Sequence, residues 1–222
     1  MMELVQFPWS PFCIVQRRIL EYSGAPFKLV NIPPSDRSLV WRLSKRRYYQ
    51  VPVLKDGRTV VFETNPNSQV VAKYLESKLN LGLFPRQWDG LQRLVWTHIE
   101  DTVEGLTFKL NDAHYREFVP PREQLQYVRW KERKFGLHCL DQWRENQPQL
   151  LNQLNEALLP FEQMLGSRPF LLDALPRFVD FDLFGMLANF LYSGRYSLPE
   201  VHGNVRQWYE RMAKAKVSQF AA

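Results

Sequence analysis

Every stretch of this chain that reads as a strand lies before residue 63, and after about residue 84 apolar residues recur only at helical spacing. A chain divided in this way folds as an α/β part followed by an all-helical part. Residues 3–7 are mostly apolar and end at Pro8, so they form a short buried strand. Ser10-Pro11 then starts a helix, serine standing at the N-cap and proline at the first helical position. Gly24 stops that helix near Ser23. Phe27 to Ile32 alternates as a second strand, closed by Pro33-Pro34. A strand–helix–strand unit of this length implies two parallel strands joined by a right-handed crossover.

Residues 35–49 are basic and irregular, with room for one helix. Val51 to Leu54 is a third strand, Asp56-Gly57 a hairpin turn, and Thr59 to Phe62 a fourth strand antiparallel to the third. A polar loop from Glu63 to Asn67 leads into a helix from Ser68 to about Leu79. The order is β-α-β-α-β-β-α. The predicted domains are 1–82 and 87–222.

The helical half begins with Leu91, Leu94, Val95, His98, Ile99, Thr102, Val103 and Leu106 on one face. Pro120-Pro121 breaks the chain, and a charged helix follows from about Arg122 to Glu145. Leu150 to Leu165 marks another helix. Asp182 to Tyr192 is apolar nearly all round and belongs in the core, and Asn204 to Lys216 is the last helix.

Several classes are excluded. With 45% apolar and 23% charged residues the chain can bury a core, so it is not a disordered segment. No apolar run approaches the roughly 20 residues of a membrane helix, and the N-terminus lacks the basic-then-apolar pattern of a signal peptide. The two cysteines, Cys13 and Cys139, make no disulfide framework, and no residues have metal-site spacing. A reducing cytoplasm is the compartment this implies. The net charge of +6 suits a solubilising surface, an anionic small ligand or nucleic acid, and does not choose between them.

Two readings attach to Ser10-Pro11-Phe12-Cys13. Ser10 can simply cap the helix while Cys13 packs. Alternatively, the helix N-terminus, with its free N–H groups and positive partial charge, can favour ionisation of a ligand thiol held there, with the Ser10 hydroxyl donating to the thiolate. Val51-Pro52 opens a strand; a cis bond there would turn backbone donor and acceptor outward toward a peptide-like ligand. Asn67-Ser68 either caps the next helix or holds a ligand carboxylate. Arg42, Lys45, Arg46 and Arg47 form a solvated face, a carboxylate clamp or a nucleic-acid patch. His98, on an apolar face, reads as a core histidine.

Taken together, these pieces resemble the glutathione S-transferase superfamily. The resemblance rests on the strand before Ser10-Pro-Phe-Cys13, on Val51-Pro52 with the hairpin after it, and on Asn67-Ser68-Gln-Val-Val-Ala-Lys-Tyr-Leu. Arg168-Pro169-Phe170-Leu171 with Val179-Asp180-Phe181-Asp182-Leu183 extends it into the helical half. It implies a thioredoxin-like α/β domain that binds glutathione, an all-α domain that helps to hold a hydrophobic electrophile, and usually a homodimer. Exposed aromatics on the first helix of the second domain would serve that dimer.

By the same resemblance Ser10 meets the glutathione sulfur, with Cys13 one turn on. Val51, before a cis Pro52, pairs with the cysteinyl backbone. Ser68 receives the γ-glutamyl carboxylate, and Phe12, Lys45, Gln50 and Asn67 complete the glutathione site. Asp182 corresponds to an aspartate that supports a helix start. The chain departs from the pattern in having Asn67 where an acidic residue is usual, which Glu63 would replace. The loop from Gly57 to Ser68 is longer than usual, and Ser10 stands where a glutaredoxin-type motif has its first cysteine.

The activity expected is conjugation of the glutathione thiolate to an apolar electrophile lined by Trp9, Phe12 and Phe108. The alternatives are a glutathione-dependent thiol-disulfide reductase and a non-catalytic binding module. Neither a membrane nor nucleic acid is the expected partner.

Overall fold

A computed structural model describes residues 1–64 and 69–220. The strands are β1 (Met2–Gln6), β2 (Phe27–Asn31), β3 (Val53–Asp56) and β4 (Thr59–Phe62), in the sheet order β2-β1-β3-β4. β1 runs parallel to β2, with Met2 opposite Phe27, and antiparallel to β3, with Val5 opposite Val53. Met2, Leu4, Val5, Val53 and Leu54 are the buried apolar residues of these two inner strands. The β3–β4 hairpin pairs Asp56 with Thr59, and Gly57 takes a left-handed φ of 57°, which glycine adopts without cost.

α1 (Pro11–Ser23) crosses between the parallel strands and ends at Gly24 in the left-handed region, φ 71°. α2 (Ser38–Leu43) fills part of the basic stretch. α3 (Val70–Leu79) closes the α/β half, and its Tyr74 hydroxyl donates to Asp56 at 2.7 Å, tying it to the hairpin.

The second half is helical throughout the described residues. α4 (Asp89–His98) and α5 (Glu104–Asp112) are joined by a π-helical turn, Ile99–Val103, so helical backbone runs on from one into the other. The charged helix expected from Arg122 to Glu145 is two helices, α6 (Pro121–Phe135) and α7 (Cys139–Glu145). Gly136, at φ 98°, breaks it. α8 (Gln147–Leu165), α9 (Phe178–Phe190) and α10 (Gly203–Lys214) complete the fold. The large residues exposed on α4 are Leu91 and Leu94, whereas Trp96 is buried; the expected exposed aromatics are leucines. Among the described residues no helix is long and apolar enough to cross a membrane.

α9 is buried along almost its whole length and packs directly on α1. Its start is organised by Asp180, not by Asp182 as expected. Asp180 lies third in the helix, where a carboxylate reaches back to the N-cap. It accepts from Arg177 N at 2.8 Å, Leu171 N at 2.9 Å and Trp208 Nε1 at 2.9 Å. Asp182 lies too far into the helix for that role and faces Glu100 instead.

Candidate functional site

The site is set by the turn from β1 into α1. Ser10 holds extended backbone angles, φ −66° and ψ 126°; its N–H donates to Phe7 O at 3.1 Å and its C=O accepts from Ile14 N at 2.9 Å. The backbone therefore makes the cap, and the half-buried Ser10 side chain makes no capping bond. The helical half fixes this turn from behind. Asn189 of α9 donates from Nδ2 to Trp9 O at 2.8 Å. The Trp9 ring stacks on Phe7 at 5.4 Å and meets Phe118 at 5.3 Å.

Ser10 opens onto a cleft between the two halves with a cavity volume of about 110 Å³. Pro11, Phe12, Gln50 and Val51 lie on the same wall, with Phe7, Trp9 and Arg37. The opposite wall comes from α5 and α6 and carries Glu104, Phe108, Asp112, Trp130, Lys131 and Phe135. The Val51–Pro52 peptide is cis. Thus Ser10, Phe12, Gln50 and Val51, far apart in sequence, share one concave surface, with Pro52 buried behind Val51.

Other expected residues fall elsewhere. Cys13 is wholly buried, and burial pushes its thiol up to about 11, with the Ser10 hydroxyl opposing that shift. A thiol held protonated and away from solvent packs the core, so the expectation of a nucleophilic Cys13 is corrected. Lys45 is exposed on the turn after α2 and does not line the cleft. Asn67 and Ser68 lie outside the described residues. Glu63, expected to supply a charge to a ligand, accepts from Val70 N at 2.8 Å and Val71 N at 3.1 Å, so it caps α3. His98 meets Ala157 O at 3.2 Å, as a core histidine does.

Arg37 is the residue that sequence reasoning missed. It is 7% exposed, lines the cleft, and stacks its guanidinium over Phe7 at 4.3 Å. It donates to Tyr49 O at 3.2 Å, and no carboxylate among the described residues pairs with it. A buried cation without a counter-ion in a cleft is a ready anion site. The flanking exposed cations drew attention in the sequence, and nothing in the pattern marked Arg37 as the one turned inward. Among the described residues no group of side chains has the makings of a metal site.

Two family models match the chain. The glutathione S-transferase N-terminal domain matches residues 4–81, and the glutathione S-transferase C-terminal domain matches residues 139–211. No curated protein matches it in sequence. Solved structures do. A glutathione transferase from Phanerochaete chrysosporium superposes with a TM-score of 0.81 at 19% identity, covering 96% of each chain. A glutathione S-transferase of Ceriporiopsis subvermispora, in complex with glutathione, gives 0.77 at 14% identity over 100% of this chain and 98% of that one. Glutaredoxin 2 from Salmonella typhimurium, also in complex with glutathione, gives 0.74 at 19% over 100% and 96%.

Proposed function

The chain belongs to the glutathione S-transferase family, and from that premise we propose that it binds glutathione in the cleft at the start of α1 and conjugates its thiolate to a hydrophobic electrophile. The observation that carries this reading is the convergence of Ser10, Gln50, Val51 and Arg37 on one wall, facing an aromatic wall from the helical half. With its side chain free of capping duty, Ser10 can donate to the glutathione sulfur. The N-terminus of α1 adds positive partial charge beside it. Together they stabilise the thiolate over the thiol, raising the fraction that can attack. Val51 would pair with the cysteinyl backbone, and Arg37 would take one of the two glutathione carboxylates. Asn67 and Ser68 remain the proposed partners of the other.

The electrophile would lie against Trp9, Phe12 and Phe108, where proximity supplies much of the acceleration. The proposed setting is the cytoplasm, with a homodimer formed through the α4 face bearing Leu91 and Leu94. The burial of Cys13 weighs against a reductase that uses this thiol. Ser10→Ala is expected to lower turnover of a chloro-nitrobenzene acceptor about 10-fold or more, in line with the loss of one positioned donor, and to leave the glutathione Kd within about two-fold. Turnover unchanged in the variant removes Ser10 from the mechanism. No glutathione binding by the native protein ends the reading itself.

A further inference from the structure

Two basic runs, residues 42–47 and 129–134, lie far apart in the chain, and neither alone marks a nucleic-acid partner. The fold sets them on one rim. Glu123, at the start of α6, accepts from Ser35 N at 3.0 Å, which holds that helix beside the loop before α2. Further along, the Arg37 guanidinium lies 5.6 Å from the Tyr49 ring on one side and 5.7 Å from the Trp130 ring on the other. Glu123 and Trp130 are two turns apart on one face of α6. Arg122 and Arg129 each precede one of them by a residue, and Arg133 stands a turn beyond Arg129, so these three arginines form the adjoining stripe. All three are exposed, whereas Lys131 and Lys134 line the cleft.

On the other side of the mouth, α2 ends with Arg46 N donating to Trp41 O at 2.8 Å and Lys45 N to Arg42 O at 3.2 Å. Such a pair of bonds closes a helix through a left-handed residue, usually glycine or asparagine. Here Lys45 and Arg46 take that conformation, at φ 53° and 64°, where a long side chain is strained. The turn itself therefore does not explain two consecutive cations. Among the described residues no carboxylate forms an ion pair with Arg42, Lys45, Arg46, Arg129 or Arg133. The acids nearby are engaged by backbone: Asp36 accepts from Ser38 N at 2.8 Å, and Glu123 from Ser35 N. Between the cations stand two exposed rings, Trp41 at 42% and Tyr49 at 52%. They meet edge to face, 5.8 Å apart at 86°, which leaves ring faces open to solvent.

Cations interleaved with exposed rings suit a partner that carries both phosphates and flat bases. An acidic polypeptide offers the charge without bases to stack, and a flat lipid surface does not follow a rim that turns across the mouth of a cleft. From this complementarity we propose that the rim docks single-stranded RNA, in the cytoplasmic setting proposed above. Bases stack on Trp41 and Tyr49. Phosphates follow Arg42 and Arg46 on one side and Arg122, Arg129 and Arg133 on the other. Arg47, which lies over Phe62 at 5.5 Å and donates to Ser44 O at 3.2 Å, serves the fold. None of the docking residues belongs to the proposed glutathione site, so the proposal stands whether or not glutathione binds.

The test is fluorescence anisotropy of a labelled oligouridylate of about 12 nucleotides, over a range of salt. Native protein is compared with Trp41→Ala, Trp41→Phe, Arg42→Gln/Arg46→Gln and Arg129→Gln/Arg133→Gln. The urea midpoint checks the fold of each, and if Trp41→Ala shifts it, Trp41→Leu takes its place. Loss of the Trp41 ring is expected to raise the Kd about 5- to 100-fold, the effect of one unstacked base, and Trp41→Phe to recover most of it. Removing either arginine pair is expected to flatten the slope of log K against log salt by about 1.4, since each single-strand phosphate contact adds about 0.7. Oligodeoxyuridylate of the same length is expected to bind no more tightly than the RNA. Polyglutamate, or vesicles containing phosphatidylserine, at equal charge should leave most of the RNA bound. No binding by the native protein in about 50 mM salt, a Kd indifferent to the Trp41 ring, or a slope that responds to only one arginine pair overturns the inference. Tighter binding of the DNA overturns it too, as does displacement of the RNA by polyglutamate or vesicles, which would assign the rim to an acidic protein or a lipid surface.

Discussion

Arg37 shows how much a single residue's surroundings decide. Its neighbours Arg42, Lys45, Arg46 and Arg47 are exposed, and in water a guanidinium or ammonium there contributes little to any one contact. Arg37 is buried, and burial lowers its pKa, because the interior penalises the charge. That penalty persists unless an anion arrives. In the proposed function the anion is a glutathione carboxylate, and a charge-assisted hydrogen bond of this kind contributes about 1.5–3 kcal/mol. Arg37→Met is therefore expected to raise the glutathione Kd about 10- to 100-fold in calorimetry, and Arg37→Lys to recover part of the loss. A Kd unchanged in Arg37→Met assigns the guanidinium to the fold, stacked over Phe7 and donating to Tyr49 O.

At the scale of elements, the site depends on how closely α9 approaches α1. A Cβ added at Gly185 would lie 2.4 Å from Val15 Cγ2 and 2.8 Å from Pro11 O, so only glycine fits where α9 crosses the first turn of α1. That turn carries Ser10. Gly185→Ala must push backbone aside, at a cost of about 1–3 kcal/mol. The expected outcome is a lower urea midpoint together with reduced conjugation, since Ser10 moves with the turn; an unshifted midpoint shows that the crossing has slack. The sequence marks both helices plainly, α1 by Ser10-Pro11 and Gly24, and α9 by its apolar run. Their contact is not legible there, because one glycine at a crossing looks like any other glycine. The same holds for α6 and α7, which read as one charged helix. Periodicity continues across Gly136, and only the positive φ ends it. The Ser10, Phe12, Gln50 and Val51 cluster was legible through order and spacing. Lys45 was not, because spacing along a chain does not say which side of a turn faces the cleft. The exchange of roles between Asp180 and Asp182, two residues apart, turned on a single helical register.

Across the whole molecule, the joint between α4–α5 and α9 buries acids against one another. The π-helical turn carries Glu100, which meets Asp182 of α9; Glu104 lies nearby, and Asp101 and Glu63 add further negative charge. Burial comes first and like charge second in pushing Glu100 up to about 7 from its ordinary 4.5, and both push Asp182 up as well. A carboxyl raised in the folded state binds its proton more tightly there than in the unfolded chain. The stability this gives is fully present below about 4.5 and is lost as pH rises through the interval to about 7. Asp182→Asn replaces one acid with a neutral group of the same shape. Relative to the native chain it is expected to gain on the order of 1 kcal/mol at pH 8, about 2–4 °C in Tm for a chain of this size, and to gain nothing at pH 4.5. Thermal melts at half-unit steps from pH 4.5 to 8.5 would show the two curves converging toward acid. Curves that stay parallel over that range would mean that the two carboxyls do not share a proton across the joint, and that it is held by the apolar packing of α9 alone.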